Sequence, residues 1–105
     1  MPAYMIVEVE TTDEALMAEY RKHTPGLVAK FGGKFIVRGG KTRSLEGGWK
    51  PTRVVVLEFP SYEVALACYR SAGYQAAIAF RRDIAIGEFL IIEGYEGPQP
   101  DGAQA

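Results

Sequence analysis

Three short runs in this chain are apolar at neighbouring positions rather than at every second one. In Tyr4–Val9, Ile6 stands beside Met5 and Val7; in Arg53–Phe59, Val54 and Val56 interleave with Val55 and Leu57; in Phe89–Glu93, Ile92 follows Ile91. Short β-branched runs bounded by polar residues read as strands. A strand with one wet face shows polar side chains at alternate positions, so these strands must be covered on both faces. With 105 residues there is chain for one domain of ordinary size and one modest core.

The remaining elements follow from local signals. Thr11 and Glu14 have the spacing of a capping box, which predicts helix one over about Asp13–Phe31. Leu16, Tyr20, His23, Leu27 and Phe31 recur at helical spacing along one stripe. Pro25 predicts a kink or restart near Thr24, and Gly32-Gly33 a helix stop. Lys34–Arg38 is the second strand, followed by a long polar connection with a short extra strand near Thr42–Leu45. After Arg53–Phe59, Pro60-Ser61 ends the strand and caps a helix over about Tyr62–Arg70, with a further helical piece over about Tyr74–Arg82.

Strand, helix, strand, strand, helix, strand is the split βαβ order of ferredoxin-like α+β domains. One such domain is expected over residues 1–95, with a four-stranded antiparallel sheet, and a flexible tail over residues 96–105. Helices on one face leave the other face apolar and bare, and such a patch marks an interface. The expected occupant is a second copy, giving a symmetric homodimer.

Charge and cysteine content exclude several functions. Twelve basic and 13 acidic residues leave a net charge of −1, too little positive field for nucleic acid or an anionic membrane. One cysteine excludes a disulfide framework or a cysteine-rich zinc site. No export signal and no membrane-spanning run are evident, which suggests a cytoplasmic protein.

Several residues carry possible chemistry. His23 is the single histidine and the one acid–base candidate near neutral pH; the alternative is a half-buried histidine bonded to a carbonyl at a helix break. Arg38, Arg53 and Arg81 suit an anion clamp, since guanidinium grips a carboxylate at two points. The structural alternative pairs Arg38 with Glu8 and Glu58 in the sheet or across the dimer. Tyr20, Tyr69 and Tyr74 read as core tyrosines or as the wall of a ligand pocket. Gly40-Lys41-Thr42 lacks the upstream glycine of a phosphate loop, Pro2 follows Met1 so that a free prolyl amine is not expected, and Cys68 sits among alanines as a small hydrophobe. No cofactor or metal is expected from one histidine without neighbouring ligands.

Tyr20, Gly32-Gly33, Arg38-Gly39-Gly40, Leu45-Glu46-Gly47, Arg53, Glu58-Phe59-Pro60-Ser61, Tyr69 and Tyr74-Gln75 together resemble the pattern of domain-of-unknown-function family 1330. The resemblance runs from about Tyr4 to Gly94. It implies the dimeric α/β-barrel superfamily, in which two ferredoxin-like protomers pack sheet to sheet. Two functions remain open: a small-ligand-binding or stress-related dimeric module, and a cofactor-independent isomerase or monooxygenase acting on a small organic acid or aromatic substrate.

Overall fold

The computed structural model describes residues 1–100. The elements run β1 (Ala3–Thr11), α1 (Glu14–Lys30), β2 (Lys34–Arg38), β3 (Val54–Phe59), α2 (Tyr62–Arg70), α3 (Ala72–Ile78) and β4 (Ala85–Glu93). They build one antiparallel sheet in the order β2-β3-β1-β4, with the helices on one face. This is the ferredoxin-like α+β arrangement that the element order implies.

The register divides the sheet into two faces. Met5 pairs with Leu57 and Ile91, and Val7 with Val55 and Phe89. These side chains turn toward the helices and form the core with Val28, Phe59, Ala65, Cys68 and Tyr74. Ile6 pairs with Val56 and Leu90, and Tyr4 with Ile92; these point the opposite way, where no helix of the described residues covers them. Leu90 and Ile92 keep 54% and 50% of their surface exposed.

Helix α1 differs from its sequence reading in three respects. Asp13, not Thr11, supplies the cap: its Oδ1 accepts from the Leu16 N–H at 3.1 Å. β1 extends through Thr11, whose hydroxyl donates to the Ile84 carbonyl at 3.1 Å, so it is occupied elsewhere. The helix also continues through Pro25 without a break. Proline removes the donor to the Arg21 carbonyl, and burial of the sheet-facing stripe offsets that loss.

The buried stripe itself is Met17, Tyr20, Thr24 and Val28, one position round from the expected Leu16, Tyr20, His23, Leu27 and Phe31. Leu16 and His23 are exposed, and Leu27 leans on α3, where a Cβ on Gly73 would lie 2.7 Å from its Cδ2. α1 has two apolar flanks, one on the sheet and one on α3. Periodicity averages them and points between.

The helix stops at Gly32, whose φ of 74° suits glycine. The Gly33 N–H reaches back to the Val28 carbonyl at 2.9 Å, and that of Gly32 to Ala29 at 3.0 Å. Lys41–Pro51 is irregular and largely exposed, without the expected strand at Thr42–Leu45. Trp49 instead ties this loop to the bare sheet face, its Nε1 donating to Glu8 Oε2 at 3.1 Å. The last five residues of the expected tail, 101–105, lie outside the described residues. Before them, Glu96 meets the terminal ammonium of Met1 at 3.2 Å.

A Cβ on Gly33 would lie 2.7 Å from Phe59 Cε1 and 2.8 Å from Val28 Cγ1, both core side chains. Gly33→Ala therefore overpacks the α1–β2 junction and lowers stability by roughly 1–3 kcal/mol, measurable in a denaturant melt. Gly40→Ala, where a Cβ meets open space, is the control.

Candidate functional site

A cleft of about 70 Å³ lies between α1 and the sheet. At ~10–15 Å³ per water centre it takes roughly five waters or a small organic molecule. Its floor follows one row across the sheet. Arg38 on β2 pairs with Val55, Val55 with Val7, and Val7 with Phe89. Tyr20, Arg21 and Thr24 of α1 and Tyr74 of α3 close it from above.

Arg38 reaches this row through a bulge. Phe35 pairs with Leu57 on the helix side, an extra residue enters between Phe35 and Val37, and Arg38 then pairs with Val55, again on the helix side. Without the extra residue, Arg38 would face the other way. Its guanidinium lies over the Phe35 ring, 4.1 Å from the centroid. Arg53 arrives one row further along, its carbonyl accepting from the Val9 N–H at 3.3 Å. Its head packs on Gly39, where a Cβ would lie 2.7 Å from Nη1, so a side chain there would displace it.

At the opposite edge stands Arg81. α3 ends at Ile78, not near Arg82, and Arg81 sits in the turn that follows. Its carbonyl accepts from the N–H groups of Ile84 and Ala85, which fixes the turn into β4. Its guanidinium is stacked 4.3 Å from the Phe89 centroid and 5.2 Å from that of Tyr20. Nε is buried and has no hydrogen-bond acceptor.

Tyr20 and Tyr74 meet beside it with their hydroxyls 2.8 Å apart. Burial, then the neighbouring Tyr20, pushes the Tyr74 phenol far above its ordinary 10.0, so it remains neutral at any physiological pH. Each phenol carries one proton. One hydroxyl donates to the other, whose own proton remains available to an acceptor.

Among the described residues, Arg38 pairs with neither Glu8 nor Glu58 within the protomer. Glu58 approaches Lys34 at 3.9 Å and Glu8 accepts from Trp49. Among the described residues, Arg38, Arg53 and Arg81 meet no carboxylate within ion-pair distance. The side chains lining the cleft include no Asp, Glu, His or Cys. Its polar groups are cations, phenols and one threonine.

The structure thus brings Tyr20, Tyr74, Arg38 and Arg53 to the cleft wall, with Arg81 immediately behind Tyr20 and Phe89. Tyr69 is in a second layer, its ring 5.4 Å from that of Tyr74 and 6.4 Å from Phe89. His23 lies outside. It is exposed on the far flank of α1, stacked 5.1 Å from Phe80 above a shallow groove bounded by Gly26 and Gly73. Arg21, Thr24, Phe35 and Phe89 line the cleft without having been singled out from the sequence. A stripe begun at Met17 rather than Leu16 would have found the first two. The β2 bulge, which sets which way Phe35 and Arg38 face, has no sequence signal. Cys68 is buried, and burial raises its thiol pKa.

The family model described as a domain of unknown function (DUF1330) matches residues 2–95. The chain belongs to this family. No curated protein matches it. Among solved structures it is similar to a protein of unknown function from Rhodopseudomonas palustris, with 17% identity over 91% of this chain and 84% of that one, at a TM-score of 0.73. A dimeric, ferredoxin-like protein of unknown function from Bacteroides fragilis aligns with 14% identity over 89% and 96% of the chains, at 0.59. A cofactor-independent oxygenase from Streptomyces nogalater aligns with 11% identity over 91% and 95%, at 0.52. These likenesses show the ferredoxin-like fold. No helix of the described residues is long and apolar enough to cross a membrane.

The Tyr74 shift has a consequence for stability. Below pH 10 the phenol holds its proton in both folded and unfolded chains and contributes no pH dependence. Above 10 the unfolded chain releases that proton while the fold retains it, so stability falls as pH rises. Melting temperature should therefore decline more steeply above pH 10 in the wild type than in Tyr74→Phe, and tyrosinate absorbance should show one of the six tyrosines resisting ionisation until the chain unfolds.

Proposed function

We propose that this protein is a homodimeric small-ligand-binding module whose cleft holds the anion of a small organic or aromatic acid. The observation that carries this reading is the composition of the cleft: an apolar floor, hydrogen-bond donors on the walls and no acidic side chain. Unpaired guanidinium groups around an apolar slot favour a ligand that supplies the missing negative charge. Tyr20, Tyr74, Arg38 and Arg53 are the residues that would hold it, with Arg81 behind Tyr20 and Tyr69 behind Tyr74.

The dimer is supported by the bare sheet face. Ile6, Val56, Leu90 and Ile92 form a contiguous apolar surface there, with Ile36 and Val37 beyond it at 46% and 42% exposure. Each half-exposed leucine or isoleucine forgoes on the order of 1 kcal/mol of burial. A second copy related by a twofold axis would cover this face with its own. The Bacteroides fragilis neighbour is described as dimeric.

A cofactor-independent enzyme acting on the same class of molecule is the second reading, favoured by the oxygenase among the structural neighbours. General-base catalysis needs a proton acceptor in reach of the substrate. The cleft lining offers none, and His23 is on the other side of α1, which is why binding is placed first.

Light scattering should return the mass of two 11.5 kDa chains, and Leu90→Lys should shift it toward one. A monomeric wild type at micromolar concentration would refute the assembly. In calorimetry against a panel of aromatic and unsaturated carboxylates, at least one acid should bind while its primary amide does not. Arg53→Gln should weaken that acid by about tenfold or more, as for a charged hydrogen bond. His23→Ala should leave its affinity within about twofold. Equal binding of acid and amide would remove the anion from the reading.

A further inference from the structure

The cleft has two donor poles, not one. Arg38 and Phe89 end the same transverse row of the sheet, with Val55 and Val7 between them. Three strand spacings of ~4.8 Å set their backbones about 14 Å apart. At the β2–β3 edge stand Arg38 and Arg53. At the β4 edge the Tyr20–Tyr74 hydroxyl pair lines the cleft, and Arg81 is stacked behind it on Tyr20 and Phe89. The floor between the two ends is Val55 and Val7.

Each pole is short of acceptors. Among the described residues, neither Arg38 nor Arg53 meets a carboxylate. Arg81 Nε is buried with no acceptor at all, and the linked phenols keep one proton that their own bond does not use. A buried donor without a partner is destabilising, more so when it is charged. A ligand with one acidic group would satisfy one end and leave the other unmet. A ligand with acceptor groups at both ends would satisfy both.

Resting on the reading of the cleft as an anion site, we propose that its ligand is an elongated dicarboxylate, or a carboxylate bearing a carbonyl oxygen at its far end. Arg38 and Arg53 grip one terminus. The free phenolic proton of the Tyr20–Tyr74 pair holds the other, with the positive charge of Arg81 behind it. The short aliphatic middle lies on Val7 and Val55. Chain length is set by the width of the sheet between the poles, so affinity peaks at one member of a homologous series. The Tyr74 phenol keeps its proton, so this end binds an oxygen as a hydrogen-bond donor.

The experiment uses the wild-type protein and a series of straight-chain α,ω-dicarboxylates from succinate to suberate, each compared by calorimetry with the monocarboxylate of equal length. One diacid should bind at least about tenfold more tightly than its monoacid, with weaker binding by both shorter and longer members. Arg81→Gln should lower affinity for that diacid to about the monoacid level, and Arg38→Gln, altering an exposed residue that the fold does not need, should do the same from the other pole. Thermal melts of both variants establish that they remain folded. Monoacids binding as tightly as diacids would overturn the two-pole site and leave the anion cleft standing. Binding of aromatic carboxylates without any of the aliphatic series would do the same. Binding of no acid of either kind would overturn both.

Discussion

The alternation of side chains along β1 is the constraint on which the rest of the molecule depends. Ala3, Met5 and Val7 go beneath the helices, while Tyr4, Ile6 and Glu8 go to the other face. β1 is a central strand, bonded to β3 and to β4, so its register is transmitted to both neighbours. A slip of one residue would exchange the two faces everywhere at once. The same alternation therefore specifies the core, the floor of the cleft and the bare apolar surface opposite.

The cleft exists because α1 does not seal the sheet along its whole length. Toward Val28 the helix packs close, with Phe59 and Gly33 leaving no room for an added methyl group. Toward Met17 and Tyr20 it stands over a second, smaller cluster with Ala77. Between these two packed regions lie the valines of β1 and β3 and the arginines that enter from the edges. Their charge is tolerated because Arg38 is exposed and Arg53 partly so, whereas Arg81 is held in place by stacking on two rings. Cation–π stacking of this kind contributes on the order of 1 kcal/mol.

Much of this was legible in the residues. The order of elements, the Ser61 cap, the Gly32 stop and the doubly apolar strands identify the fold because each is a local signal with a local cause. Ser61 accepts from Val64 N–H at 3.2 Å, as expected of its position. Tyr20, Tyr74, Arg38 and Arg53 could be named as site candidates because their chemistry is visible in their type. His23 could not be placed. Its position depends on which flank of α1 meets the sheet and which meets α3, and both flanks carry apolar residues at helical spacing. Capping by Asp13 rather than Thr11 was hidden for a similar reason, since the length of β1 decides which residue is free to cap.

The sequence by itself determined the ferredoxin-like element order, the apolar character of both sheet faces and the supply of arginines and tyrosines, because strand alternation, caps and residue chemistry are properties of neighbours along the chain. Only the tertiary structure decided that Arg38 faces the helices, that Arg81 stacks on Phe89 across the sheet from it, and that His23 lies outside. A bulge, a turn geometry and the rotation of a helix about its axis are set by packing between segments far apart in the chain, and no short window of residues contains that information.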